Sequence, residues 1–190
     1  LPIYVLDSNG ARIPVVSVQD GTLRFSDAAS VFQLNNGFRS ASVGDRLGRF
    51  LLNVNDNGVF DLNGLSLNLT GLTGNGTVTN NSTTPANINA QVGFAFDTIF
   101  TGRITDGAGA VSLTKSQNGV LTLSGYNDYS GGTFVQGGRV SNATGNAAAG
   151  GRLEPQTVNS LGTGPVTLQG GRLRLNGLNR TIADDRLQKI

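Results

Sequence analysis

A short phrase recurs along this chain, and each copy is too brief and too regularly interrupted to be anything but a strand. Asp20-Gly-Thr-Leu-Arg-Phe-Ser-Asp27 is one copy and Asn57-Gly-Val-Phe-Asp-Leu-Asn-Gly64 a second. Asn118-Gly-Val-Leu-Thr-Leu-Ser-Gly125 is a third and Gly170-Gly-Arg-Leu-Arg-Leu-Asn-Gly177 a fourth, with Gly164-Pro-Val-Thr-Leu-Gln-Gly170 a shorter relative. In each full copy a glycine precedes a run whose large apolar residues fall two apart. Period two puts Leu23 and Phe25, Phe60 and Leu62, Leu121 and Leu123, and Leu173 and Leu175 on an inner face. Thr22/Arg24, Val59/Asp61, Val120/Thr122 and Arg172/Arg174 fall on the outer one. Small polar residues or glycine close most copies, because the chain must turn there. Such self-similarity signals a repeat architecture.

Composition fits a stack of coils better than a two-layer globule. The chain holds 28 Gly but 5 Pro, and charged residues make up 14% against roughly 25% in ordinary soluble domains. Large apolar side chains are scarce because glycine takes so much of the apolar share. A solenoid tolerates this: each coil needs a thin core, and its backbone bonds to the coils on either side. Abundant Asn and Thr suit turns and stacked polar ladders. The alternating Leu, Val and Phe pairs argue against disorder.

Along the chain, Tyr4-Val5-Leu6, Ile13 to Val18, Thr22 to Phe25, Val31 to Leu34 and Phe50 to Val54 read as strands. So do Leu65 to Leu69, Leu72 to Asn80, Ala86 to Ala90 and Phe94-Ala-Phe96. The run Phe94 to Ile104 reads as strand rather than buried helix, from its Phe and Ile content and from Gly93 and Gly102. Phe38 to Arg49 and Asn142 to Gly151 read as loops, and Ile182 to Lys189 has a helical look. No linker divides the chain, so residues 1–190 are expected to form one module, with the clearest repeats at 56–177. Leu1 reads as mid-strand, which points to a fragment or processed piece of a longer protein.

Net charge is +2, from 14 Lys+Arg against 12 Asp+Glu. The basic residues are scattered, with a mild gathering at Arg139, Arg152, Arg172, Arg174, Arg180 and Arg186, which reads as a solvated face rather than a phosphate track. No nucleic-acid partner is expected. No apolar run is long enough to span a bilayer. Cys, Met, Trp and His are all absent. Their absence removes disulfides, thiolate metal sites, Cys nucleophiles and His-based triads. A chain without cysteine also suits export in an unfolded state through an oxidising compartment.

The run Leu69-Thr-Gly-Leu-Thr-Gly-Asn-Gly-Thr-Val-Thr-Asn-Asn81 resembles the coil that precedes passenger-associated transport repeats in bacterial autotransporters. Phe100-Thr-Gly-Arg-Ile-Thr-Asp-Gly-Ala-Gly109 resembles the entry into that repeat. Leu113-Thr-Lys-Ser116, Gly119 to Thr133 and Gly137-Gly-Arg-Val140 follow the repeat itself, and Asn159 to Leu173 resembles the coil after it. The resemblance covers residues 56–177. It implies an all-β, right-handed parallel β-helix displayed outside the cell by type V secretion.

No constellation of residues carries recognisable chemistry. Asp184-Asp185 is the one adjacent acidic pair, and an exposed helical turn explains it better than two carboxylates facing across a cleft. Asp56 and Asp61 read as turn residues. Gly107-Ala-Gly109 and Gly170-Gly171 lack the Lys-Ser/Thr and the following helix of a phosphate loop. Tyr126 and Tyr129 occupy repeat positions and read as structural stacking rather than a sugar platform. Asn68, Asn75, Asn142 and Asn179 begin glycosylation-like triplets, which arise by chance in so Asn- and Thr-rich a chain. The expectation is therefore no catalytic, cofactor or metal site and no cofactor. The reading is a non-enzymatic structural or adhesive β-helix module at the bacterial cell surface, its partners other copies of itself end to end, a receptor or a glycan. The alternatives are a subunit of a self-assembling filament or sheath, and a fragment of a polysaccharide-active enzyme.

Overall fold

The computed structural model describes residues 4–6, 12–27, 50–93, 97–137, 151–157, 159–175 and 187–189. These residues are strand, turn and irregular backbone throughout, with no helix among them. The expected strands Val31 to Leu34 and Phe94-Ala-Phe96 lie outside the described residues, as do the loops Phe38 to Arg49 and, up to Gly150, Asn142 to Gly151.

The chain advances coil by coil. β1 (Tyr4–Leu6) precedes β2 (Arg12–Val18) and β3 (Thr22–Arg24), and the next coil holds β4 (Phe50–Val54) and β5 (Val59–Asp61). Then come β6 (Leu67–Thr73) with β7 (Thr77–Thr79), and β8 (Ala86–Gln91) with β9 (Thr98–Phe100) and β10 (Arg103–Ile104). β11 (Val111–Ser116) is followed by β12 (Val120–Leu123), β13 (Thr133–Gln136) by β14 (Arg152–Pro155), and β15 (Val166–Gln169) by β16 (Arg172–Leu173), before β17 (Leu187–Lys189).

The first strand of every coil joins one nine-stranded sheet, β1-β2-β4-β6-β8-β11-β13-β15-β17. The second strands divide between a sheet β10-β7-β5-β3 and a sheet β16-β14-β12-β9. Among the described residues every strand pairing is parallel except β1 with β2. The division has a local origin. The coil that starts at β8 contributes two short strands instead of one: β9 opens the third sheet beneath β12, and β10 is the last strand of the second, on β7. The copies of the recurring phrase therefore occupy different places. Those at Asp20 and Asn57 lie in the second sheet and those at Asn118 and Gly170 in the third, while the short relative at Gly164 supplies β15 of the first sheet.

Register stacks like on like. Leu67, Ile88, Leu113, Thr133 and Val166 form one inward column of the first sheet, and all are buried. Phe60, Val78 and Ile104 form another in the second sheet. Of the eight residues expected inside, Phe60, Leu62, Leu121 and Leu123 are fully buried, and Leu23, Phe25 and Leu173 are half-buried against the core. Leu175 is half-buried. Phe25 meets Phe60 edge to face at 5.6 Å. Outward positions carry polar ladders: Asn53 Nδ2 donates to Ser17 Oγ and Thr73 Oγ1 to Asn53 Oδ1, and Asn89 Nδ2 donates to Asn68 Oδ1. Gln136 Nε2 donates to Gln169 Oε1 in the same manner.

Two expectations need correction. Asp61 is not on a solvated face: it is buried under side chains of its own and both neighbouring coils. The helical look of the tail fails at Leu187–Lys189, which pairs in parallel with Val166–Leu168. An open rung of a parallel sheet outbids weak local helix propensity.

Glycine spacing has a cause the turns alone do not supply. Gly58, Gly76, Gly102 and Gly125 sit one above another, Gly58 and Gly76 where the chain leaves the first sheet and Gly102 and Gly125 just past third-sheet strands. A Cβ on Gly76 would lie 2.6 Å from the Gly58 carbonyl oxygen, one on Gly102 2.0 Å from that of Gly76, and one on Gly125 1.8 Å from that of Gly102. Those contacts fall below any real Cβ separation, so successive coils approach as only glycine allows. By contrast, Gly21 and Gly64 hold positive φ and serve the turn itself. Replacing Gly102 by Ala should lower stability by at least about 2 kcal/mol, because backbone must move. Gly93, with no atom within 4 Å of its would-be Cβ, should change by less than about 0.5 kcal/mol on the same substitution. Urea-unfolding midpoints check this, and equal shifts would remove coil spacing as the constraint.

Candidate functional site

Where the second sheet turns away, the backbone groups of three successive coils converge, and short polar side chains fill the space. The Asp61 carboxylate accepts from the Asn63 amide of its own turn (3.0 Å), from the Asn81 amide of the next coil (2.9 Å) and its Nδ2 (3.2 Å), and from Arg24 Nε of the previous coil (2.7 Å). Burial pushes this carboxyl up, but the Asn81 and Asn63 amides, the Asn81 side chain and Arg24 outweigh it and hold it below the usual carboxylate range. One coil on, Asn80 Oδ1 accepts from the Gly64 amide (2.8 Å), and its Nδ2 donates to Thr84 and Ala110 carbonyls (2.8 and 3.4 Å). Asp106 accepts from the Val111 amide (2.7 Å) and, in the following coil, the Ser130 amide. Asn127 accepts from the Ile104 amide (2.7 Å) below and donates to the Ser160 carbonyl (2.8 Å) above. Asn127 thereby supplies the acceptor that the Ile104 amide would have found in a further strand.

Beside this column the turn Gly125-Tyr-Asn-Asp-Tyr129 places its two tyrosines oppositely. Tyr129 is fully buried, its hydroxyl 2.7 Å from Thr133 Oγ1, which donates to the Leu161 carbonyl. Tyr126 is 57% exposed, with Arg103 5.9 Å above its ring. Arg103 pairs with Asp128 and holds that carboxyl below its usual range. Tyr129 is therefore closed to any ligand, and Tyr126 is a surface group.

The remaining sequence candidates do not converge. Asp56 lies at an exposed turn with φ 50°, its amide donating to Asn75 Oδ1 of the next coil. A Cβ on Gly107 or Gly109 would meet the Asn80 or Ser82 carbonyl oxygen at 2.4 Å, and one on Gly171 that of Val135 at 2.7 Å, so these glycines serve coil contact. Asn68 is committed to the ladder through Asn89 and Gln91. Asp184, Asp185, Asn142 and Asn179 lie outside the described residues. Among the described residues no three Asp or Glu side chains gather as a metal would require, and no helix is long and apolar enough to cross a membrane.

Sequence reasoning missed Lys115. Val111, Leu113 and Lys115 all point inward on β11, Lys115 in the column of Leu69, Ala90 and Val135. Lys115 is fully buried, and its Nζ reaches the coil corner to donate to the Ser116 (2.6 Å) and Gln117 (3.1 Å) carbonyls. A Cβ on Gly151 would sit 1.8 Å from the Gln117 carbonyl oxygen that the ammonium caps and 2.7 Å from the ammonium itself, so only glycine fits at this corner. Burial pushes the amine down to about 8, with Asp97 opposing. The available signal was a lysine in phase with an apolar alternation.

Residues 113–141 match the family model described as passenger-associated-transport-repeat. This is the repeat that the sequence resembles, and it is a structural repeat of autotransporter passengers rather than a known enzyme family. No curated protein and no solved structure matches the chain. Asn127, Tyr129 and Thr133, which tie this coil to its neighbours, and the buried Lys115 all fall inside the matched segment.

Asn127→Ala would strand the Ile104 amide and the Ser160 carbonyl in the interior. It should cost about 2–4 kcal/mol, whereas Asn68→Ala, on a solvated ladder, should cost less than about 1 kcal/mol. Equal losses in chemical denaturation would show that Asn127 does not bridge coils. Lys115 gives stability a pH dependence of definite sign. Its folded pKa of about 8 lies below its ordinary value of 10.5, so between those values the unfolded chain binds a proton that the folded chain releases. Stability should rise with pH across that window, by up to about 3 kcal/mol. Urea midpoints at both ends of the window, compared with Lys115→Met, separate this from tyrosine ionisation: the variant should lose the rise.

Proposed function

We propose that the chain is a non-enzymatic structural or adhesive module of an autotransporter-like surface protein, its parallel coils closing as a right-handed β-helix outside the cell. The observation that carries this reading is the single sheet to which every coil adds one parallel strand, in the same chain whose segment 113–141 matches the transport repeat. Such a stack grows in one dimension, each coil satisfied by its neighbours. A module of this kind serves by length, stiffness and surface. The side chains with unusual environments support it too: Asp61, Asn80, Asp106 and Asn127 bond groups of adjoining coils and Lys115 caps carbonyls at the corner of its own, which is structural work.

Negative-stain images of the purified chain should show short, separate rods. Globules would overturn the architecture, and long fibres would replace the stalk reading with the filament one. An antibody raised against the folded chain should label intact cells that make the natural protein. Incubation with plant and bacterial polysaccharides should release no reducing or unsaturated ends. Release that is lost on replacing Asp184 and Asp185 together would move the protein among the enzymes.

A further inference from the structure

The outer face of the third sheet collects three arginines that the sequence keeps apart. Register places Arg152 directly above Val120 and Arg172 directly above Arg152. Arg174 lies two residues beyond Arg172, and its amide donates to the Leu153 carbonyl, which sets it beside Glu154. Rungs of a sheet are about 4.8 Å apart, so Arg152 and Arg172 stand as like charges on adjacent strands, an arrangement that disfavours itself. One carboxylate answers two of them. Glu154 Oε1 lies 2.5 Å from Arg152 Nε and 3.6 Å from Arg174 Nη1, with its own side chain 11% exposed. Asp97, at the β9 end of this face, already accepts from the Val120 amide. Among the described residues the face therefore carries more positive than negative charge, and its arginines reach solvent. The column that holds Glu154 continues through Thr122 to Ile99, which is 56% exposed.

We infer that this face docks a linear polyuronate, an acidic polysaccharide carrying a carboxylate on its sugars. Glu154 shows that guanidiniums of this face, Arg152 and Arg174, hold a carboxylate between them, and the forked donors of an arginine suit a carboxylate in general. A second carboxylate, from the polymer, would neutralise the Arg152–Arg172 stack in the same manner. A linear chain lying along the solenoid presents its charges at successive rungs, and the exposed Ile99 offers an apolar contact to the C–H face of a sugar ring. This deepens the reading above, from which it takes only the extracellular setting.

The test is binding of alginate oligomers to the purified chain, measured by calorimetry at low and at physiological salt. Neutral dextran and duplex DNA of similar length serve as comparisons. Alginate should bind and dextran should not, with affinity falling as salt rises. The double variant Arg172→Glu/Arg174→Glu should lose at least tenfold in affinity with an unchanged melting temperature, while Arg103→Gln, on the second sheet, should bind as the parent does. If the double variant melts early, Arg172→Gln alone should still weaken binding several-fold. Absence of alginate binding at low salt, equal binding by the charge-reversed variant, or DNA binding as tight as alginate would each overturn the proposal. None of these touches the rod architecture. Conversely, alginate cleavage would refute the non-enzymatic reading and leave the docking face standing.

Discussion

Everything in this structure depends on one backbone lying directly on the next. In a parallel stack the amides and carbonyls of a coil find their partners in the coils before and after, because no hairpin partner is at hand. Buried groups left unpaired would each cost roughly 1–3 kcal/mol, so the spacing between coils is imposed rather than chosen. The glycine column shows how little room that spacing leaves. At Gly76, Gly102 and Gly125 the carbonyl of the coil below occupies the place of a side chain. The same demand explains why a chain with few large apolar residues folds: the ladder accounts for the backbone, and each coil needs only a thin row of apolar side chains inward.

Corners are the hard part of such a stack, since the ladder lapses wherever the chain bends. Here short amides and carboxylates take over. Asp61, Asn80, Asp106 and Asn127 are each long enough to reach a backbone group in an adjoining coil and short enough to leave it in place. Lys115 solves the same problem from inside, carrying an ammonium through the core to two carbonyls at the corner. The desolvation that lowers its pKa is the cost of that solution, partly offset by its two bonds. The bonds of Asp61 to Asn81, Asn80 to Gly64, Asp106 to Ser130 and Asn127 to Ile104 run between coils, whereas those of Lys115 close the corner of its own coil. Removing one of the former loosens two coils at once.

Much of the fold was legible because alternation is local. Phe60, Leu62, Leu121 and Leu123 could be assigned to the core from spacing alone, and the transport-repeat resemblance at 113–141 is matched by the family model. Asp61 defeated the same rule: period two gives the face but not what lies over it, and Asn81 and Arg24 cover it from other coils. Leu187–Lys189 defeated a local helical pattern for the same reason, since an unpaired strand edge was waiting beside β15.

The sequence by itself determined that this chain would be built of short strands with one apolar face, punctuated by glycine, and without thiol or imidazole chemistry. Those properties reside in neighbouring residues and in composition. Only the tertiary structure decided which residues share a column. Coil lengths vary, so the partner of a given rung is set by how the intervening chain packs, not by a fixed period. That is why the phrase at Asn57 and the phrase at Asn118, so alike in sequence, lie in different sheets. It is also why Arg152 and Arg174 come to share a single glutamate, and why a glycine far along the chain lies against the Gln117 carbonyl and the Lys115 ammonium.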